Sequence, residues 1–147
     1  MHNAKCRMQN EDAMNENIIA DKSLEFAVRI VNLYKYLTKE HSEYIMSKQL
    51  LRCGTSIGAN VAEAQRGQSM ADFAAKMNIA LKEANETEYW LKLLYRTEYL
   101  SEEQYGSIDA DIRELLGILV SICRTSNAKK IILHSAFCIL HLPEVLL

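Results

Sequence analysis

Glu63, Glu83, Glu86 and Glu88 concentrate carboxylates in the middle of the chain. Inward-facing glutamates on neighbouring helices can hold a pair of metal ions, but such a site also needs Glu-x-x-His pairs. The sequence has no such pair, and His2, His41, His134 and His141 all fall outside the helices expected below. Cys53 and Ser56 are potential nucleophiles, yet no histidine is spaced to activate either. Gly54-Thr55-Ser56-Ile57-Gly58 has the glycines of a phosphate loop without its lysine, and it sits inside a helical pattern. The residues therefore predict no catalysis, no metal and no cofactor. They are better suited to a contact between helices.

Charge and aromatic placement fit either a binding surface or an ordinary solvated one. The net charge of −2 gives no bulk attraction to nucleic acid or membrane. The distribution is uneven, however. Residues 22–66 hold seven basic and four acidic groups, and residues 67–126 hold six basic and ten acidic ones. The basic half makes Lys35, Lys39, Lys48 and Arg66 the candidates for nucleic-acid contact. Tyr36, Tyr89, Trp90, Tyr95 and Tyr99 partly leave the core stripe, and Tyr89, Trp90 and Tyr95 are the candidate subunit interface. Cys6, Cys53, Cys123 and Cys138 are scattered, which fits free thiols in a reducing cytoplasm. Met1 to Glu16 has no apolar signal core. The apolar run from Ile131 to Leu142 is shorter than the roughly 20 residues a bilayer span needs. A cytoplasmic protein with no membrane partner is the expectation.

Helices must position these groups. With 147 residues, one proline and five glycines, the chain suits a single domain of long helices. Residues 1–16 read as a flexible leader, 17–126 as a four-helix bundle and 127–147 as an apolar tail with no clear period. Phe26, Ile30, Leu33 and Leu37 stripe the first helix. Ser42 is the expected N-cap of a second helix from about Glu43 to Arg66, and Gly67 its left-handed C-cap. Ser69-Met70-Ala71-Asp72 opens a third helix that ends near Tyr99, and Ser101-Glu102-Glu103-Gln104 opens a fourth. The fourth carries the cleanest heptad: Tyr105, Ile108, Ile112, Leu115, Leu119, Ile122. Short turns between them predict an all-α, up-and-down antiparallel four-helix bundle.

The second helix is the organising one. Leu50, Gly54, Ile57, Val61 and Ala64 form its apolar seam, and Gly54, Gly58 and Ala62 form a stripe with almost no side chain. A helical glycine costs about 1 kcal/mol against alanine, so a closely packed neighbour is expected along that stripe. Arg52, Ser56, Asn60, Glu63 and Glu86 form a candidate polar network. Pairing outward from the Gly67-Gln68 turn sets Arg52 level with Glu86 and Asn60 with Met77, so an Arg52–Glu86 ion pair is expected. If that pair were buried, losing one partner would cost about 3–5 kcal/mol.

Several motifs occur in order: Lys22-Ser23-x-x-Phe26-Ala27; Gln49-Leu50-Leu51-Arg52-x-Gly54-Thr55-Ser56-Ile57-Gly58-Ala59-Asn60-x-x-Glu63-Ala64; Ser69-x-x-Asp72-Phe73; and Ala80-Leu81-Lys82-Glu83-x-x-Glu86-Thr87-x-Tyr89-Trp90-Leu91. Over about residues 17–126 the chain resembles the four-helix bundle proteins encoded in intervening sequences of bacterial 23S ribosomal RNA genes. The resemblance implies a non-enzymatic bundle that assembles as a ring-shaped homopentamer. A relative of that family, the accessory variability determinant of diversity-generating retroelements, is a basic pentamer that binds nucleic acid and a reverse transcriptase. The resemblance thus implies a binding or accessory module for structured RNA or an RNA–protein complex. The alternative is a purely structural homo-oligomer or protein scaffold. The tail after Asn127 lies outside the resemblance.

Overall fold

The computed structural model describes the backbone of residues 2–140 and the side chains of residue 11 and residues 13–136. Its elements are α1 (His2–Glu40), α2 (Met46–Gln65), α3 (Met70–Arg96) and α4 (Glu102–Leu140). Each helix packs on the next, and α4 returns against α1. The backbones of diagonal helices stay apart among the described residues, so the arrangement is a closed, four-sided, up-and-down bundle. The sequence's apolar seams meet at its centre. Ile19, Phe26, Ile30 and Leu37 face Leu50, Ile57 and Val61, with Met77, Ala84, Leu91 and Leu94 from α3 and Ile112, Leu115 and Leu119 from α4. Leu33 and Tyr105 reach this core from its margin, half-buried.

Helix ends follow local hydrogen-bond supply. At α3 the Ser69 hydroxyl accepts from the Asp72 N–H at 3.1 Å. At α4 the capping box is reciprocal: the Ser101 N–H donates to Gln104 Oε1 at 2.9 Å, and the Gln104 N–H to Ser101 Oγ at 3.2 Å. The start of α2 differs from expectation. Ser42 has a left-handed backbone and caps nothing; the carboxylate of Glu43 accepts from the N–H groups of Ile45, Met46 and Ser47 at 3.0, 2.9 and 2.6 Å. Ser47 Oγ donates back to the Glu43 carbonyl at 2.7 Å. A glutamate two residues upstream has the reach to cover three donors that a serine cannot.

Gly67 also departs from expectation: no glycine has positive φ. Its N–H donates to the Ala64 carbonyl at 3.0 Å, and a Cβ there would lie only 3.0 Å from that oxygen. Tightness of the turn, rather than a left-handed backbone, fits glycine here. The left-handed stop falls on Glu98, at φ 66. The Glu98 N–H donates to the Tyr95 carbonyl and the Tyr99 N–H to the Leu94 carbonyl, the bond pair of a Schellman motif, so α3 closes at Arg96 rather than near Tyr99.

Two helices run further than the apolar pattern predicts. Residues 2–16, expected as a flexible leader, continue α1, and residues 127–140, part of the apolar tail with no clear helical or strand period, continue α4. Both stretches are free of glycine and proline and contain good helix formers, so propensity sustains them without a core-facing stripe. His2 and His134 consequently lie in helices; the rest of the tail, 141–147, lies outside the described residues. Among the described residues no helix is long and apolar enough to cross a membrane.

Candidate nucleic-acid interface

The small-residue stripe of α2 fits against α1. A Cβ on Gly54 would lie 2.8 Å from Ile30 Cγ1, and one on Gly58 would lie 3.3 Å from the Ser23 carbonyl oxygen. Ser23 is itself buried, with its hydroxyl donating to the Ala20 carbonyl at 3.1 Å. Ala62 has left the contact and is exposed, so the stripe works through its two glycines. Close approach of α1 and α2 fixes the relative position of the lysines they carry.

The expected polar network resolves into three groups. Arg52 bridges α2 to α3, pairing with Glu86 and, at 3.4 Å, with Glu83. Trp90 Nε1 donates to the same Glu86 carboxylate at 3.2 Å. Arg52 and Trp90 together hold the Glu86 carboxyl below the usual range. The pair is not buried: the Arg52 side chain is 52% exposed and that of Glu86 37%. The expected cost of breaking it shrinks accordingly, because exposed pairs contribute about 0.2–1 kcal/mol. Asn60 turns back along its own helix, donating to the Ser56 carbonyl at 2.8 Å and to Ser56 Oγ at 3.1 Å. Glu63 pairs with Lys76 of α3 at 2.5 Å.

The candidate nucleophiles are quiet. Burial pushes both the Cys53 and the Cys123 thiols up, away from the reactive thiolate. Ser56 Oγ accepts from Asn60. His41 lies in the α1–α2 turn, its Nε2 at 3.1 Å from Tyr36 Oη and its ring edge-on to Tyr36 and Tyr99. No metal-binding cluster of His, Cys, Asp or Glu occurs among the described residues.

Several cations along the bundle's flanks are matched by carboxylates, while Lys82, Lys92, Arg96 and Arg124 are exposed with no ion-pair partner among the described residues. Lys22 meets Glu114 at 3.0 Å; Arg29 meets Asp111 and donates to Ser107 Oγ at 2.8 Å; Arg113 meets Asp109 at 2.7 Å. Lys35, Lys39 and Lys48 have no ion-pair partner among the described residues, and all three are exposed. They share one end of the bundle, at the close of α1 and the opening of α2. Arg66 does not join them. It caps the far end of α2, about 27 Å along the helix axis from Lys48 at 1.5 Å per residue. The expected four-cation band is therefore a three-lysine end plus a distant arginine within one chain.

The aromatics divide similarly. Tyr95 stacks on Tyr105 of α4, rings 4.4 Å apart and 5° from parallel, so its face is covered within the chain. Trp90 is half-buried against the core. Tyr89, edge-on to Trp90 at 5.2 Å, stands 59% exposed. Beside the lysine end, Tyr44 is 60% exposed and Ile45 79%. No pattern in the sequence separates these two from turn residues, because their exposure follows from where the Glu43 cap starts α2.

Comparison with known proteins agrees with the architecture. A model of the 23S rRNA-intervening sequence protein family matches residues 15–121. A crystal structure from Bacteroides thetaiotaomicron, of a protein of unknown function from the S23 ribosomal protein family, is similar at 64% identity and a TM-score of 0.74. The match covers 75% of this chain and 98% of that one. No curated protein matches. The four-helix fold and the family match across most of the bundle place this chain in the 23S rRNA-intervening sequence protein family.

Proposed function

We propose that this chain is a non-enzymatic, self-assembling binding module of the cytoplasm whose partner is structured RNA or an RNA–protein complex. The observation that carries the reading is the grouping of Lys35, Lys39 and Lys48 at one end of the bundle, each exposed and without a carboxylate partner among the described residues. Cations left free at a rigid bundle end are available to phosphates, and contact through phosphates alone is weak, tolerant of sequence and steeply salt-dependent. A ring of five subunits, which the family resemblance implies, would repeat this end around an axis and multiply its effect. Exposed Tyr89 is the remaining aromatic for a subunit contact, since Tyr95 is covered.

A second reading rests on Tyr44 and Ile45. Large apolar side chains this exposed beside the lysines suit a protein partner, which makes the module a scaffold. Light scattering tests assembly, and fluorescence anisotropy with a stem-loop RNA tests binding. The RNA reading expects a particle well above 16.8 kDa that binds at low salt and releases as salt rises. An assembled particle with no RNA binding at low salt supports the scaffold. A monomer contradicts both.

A further inference from the structure

A groove of about 450 Å³ opens between α1 and α4 beside the lysine end. Leu33, Leu100 and Ile108 give it an apolar floor, and Tyr36 stands in its wall. No ring lies parallel to Tyr36 among the described residues, whereas Tyr95 is stacked within the chain. Asn32 of α1 and Gln104 of α4 bring side-chain amides to the same groove. The fold leaves both amides open. Asn32 makes no hydrogen bond among the described residues, and Gln104 uses only its Oε1, which accepts from the Ser101 N–H. A second recess of about 660 Å³ shares Tyr36, Leu100 and Gln104 with the first, so the two join there.

The lysines stand at the α1 edge of this groove. Lys35 follows Asn32 by three residues, and Lys39 follows Tyr36 by three. Three helical residues advance about 4.5 Å and return to within about 60° of the starting direction. Each lysine therefore flanks a groove residue. The α4 wall carries Glu103 instead, exposed and without an ion-pair partner among the described residues. Charge thus divides the rim: a phosphate is attracted along α1 and repelled along α4.

These features match a nucleotide. A base offers its face to Tyr36 and the apolar floor, its hydrogen-bonding edge to the two amides, and the phosphates beside it to the lysines. An aliphatic side chain would fill the floor and leave both amides idle. A base paired inside a duplex keeps its faces stacked on its neighbours and cannot enter. We propose that the groove takes an unpaired base of the RNA, stacked on Tyr36 with its edge on Asn32 and Gln104, while Lys35 and Lys39 hold the adjoining phosphates. The proposal rests on the RNA reading above and narrows it from phosphate attraction to a loop, bulge or single-stranded end. The second recess gives room for the next nucleotide of a strand, which a free mononucleotide would not fill.

Two RNAs with equal numbers of phosphates test the groove by anisotropy at low salt, one a stem with an unpaired loop, the other a fully paired duplex. The expected result is about tenfold tighter binding of the loop RNA, toward the low side of what stacking one base contributes. Tyr36→Leu and, separately, Asn32→Ala, each matched to wild type by circular dichroism, should bring loop affinity down toward duplex affinity. Asn32 is exposed, so its substitution tests the groove without touching the core that Tyr36 borders. A loop base replaced by 2-aminopurine should lose fluorescence on binding wild type and keep it with Tyr36→Leu. Equal affinity for the two RNAs, or a loop preference that survives both substitutions, overturns the groove and leaves the lysine reading standing. No binding of either RNA at low salt overturns the lysine reading and the groove with it. Adenosine monophosphate bound as tightly as the loop RNA overturns the strand and gives the groove to a free nucleotide.

Discussion

Removing the Glu43 carboxylate should unfasten the start of α2. Glu43 is 7% exposed and accepts three backbone N–H groups. Ile45 is open to water, which can replace its lost bond, but Ser47 is fully buried and its N–H has nowhere else to donate. Losing a cap costs about 0.5–2 kcal/mol, and leaving a buried donor unpaired about 1–3 kcal/mol. With some relaxation at the exposed turn, Glu43→Ala should destabilise by about 2–3 kcal/mol. Glu43→Gln keeps an acceptor and should lose about 1 kcal/mol. The effect should depend on pH. Burial alone would raise the Glu43 carboxyl, but the N–H groups of Ser47, Met46 and Ile45 outweigh it and hold it below the usual carboxylate range. A carboxyl lowered by folding contributes stability above its unfolded value, about 4.3, and loses it as pH falls through the folded value. Urea titrations at neutral and acidic pH should show the gap between wild type and Glu43→Ala narrowing as pH falls. A gap below about 0.5 kcal/mol at neutral pH, or one that does not narrow in acid, would refute the capping role.

Other consequences follow from the same geometry. Glu86→Ala, which strips Arg52 and Trp90 of a partner, should cost about 1 kcal/mol in a urea titration, against under about 0.5 kcal/mol for Glu88→Ala; equal losses would deny the α2–α3 pair its role. Gly54→Ala should destabilise despite about 1 kcal/mol of added helix propensity, because the new Cβ meets buried Ile30; a gain in melting temperature would show that α1 yields freely. Gly58→Leu should cost about 1–3 kcal/mol by pressing on the Ser23 carbonyl, and a smaller loss would mean α1 and α2 part easily. Glu98→Gly should stabilise by about 1 kcal/mol, since only glycine enters the left-handed region freely; an unchanged melting curve would place the strain elsewhere.

What the sequence revealed depended on how local the cause was. The Ser69 and Ser101/Gln104 caps are fixed within four residues and were readable. The close contact at Gly54 and Gly58 was readable from the four-residue spacing of small residues, and the Arg52–Glu86 pair because a short turn sets the level of the two helices it joins. The Glu43 cap was not, because it depends on how the turn after α1 folds, and Ser42 offers the same chemistry one residue earlier. Gly67 shows the same limit: a glycine after a helix signals either a left-handed stop or a tight turn, and only the backbone decides. The extents of α1 and α4 were missed because amphipathic period reports packing, and these segments project beyond the bundle. In the candidate interface, residue type identified the lysines. Their separation from Arg66 was implicit in the expected helix from Glu43 to Arg66, which sets Lys48 and Arg66 at opposite ends.

The lysine end is the central claim, and the salt dependence of RNA affinity tests it most directly. Anisotropy titrations with a stem-loop RNA over a range of salt give the slope of log affinity against log salt, about 0.7–0.9 for each phosphate that a cation neutralises. Lys35→Glu/Lys39→Glu/Lys48→Glu should abolish binding at low salt, while Arg66→Glu, at the far end of α2, should leave affinity and slope nearly unchanged. Binding that survives the triple reversal, or that fails with Arg66→Glu instead, would contradict the account.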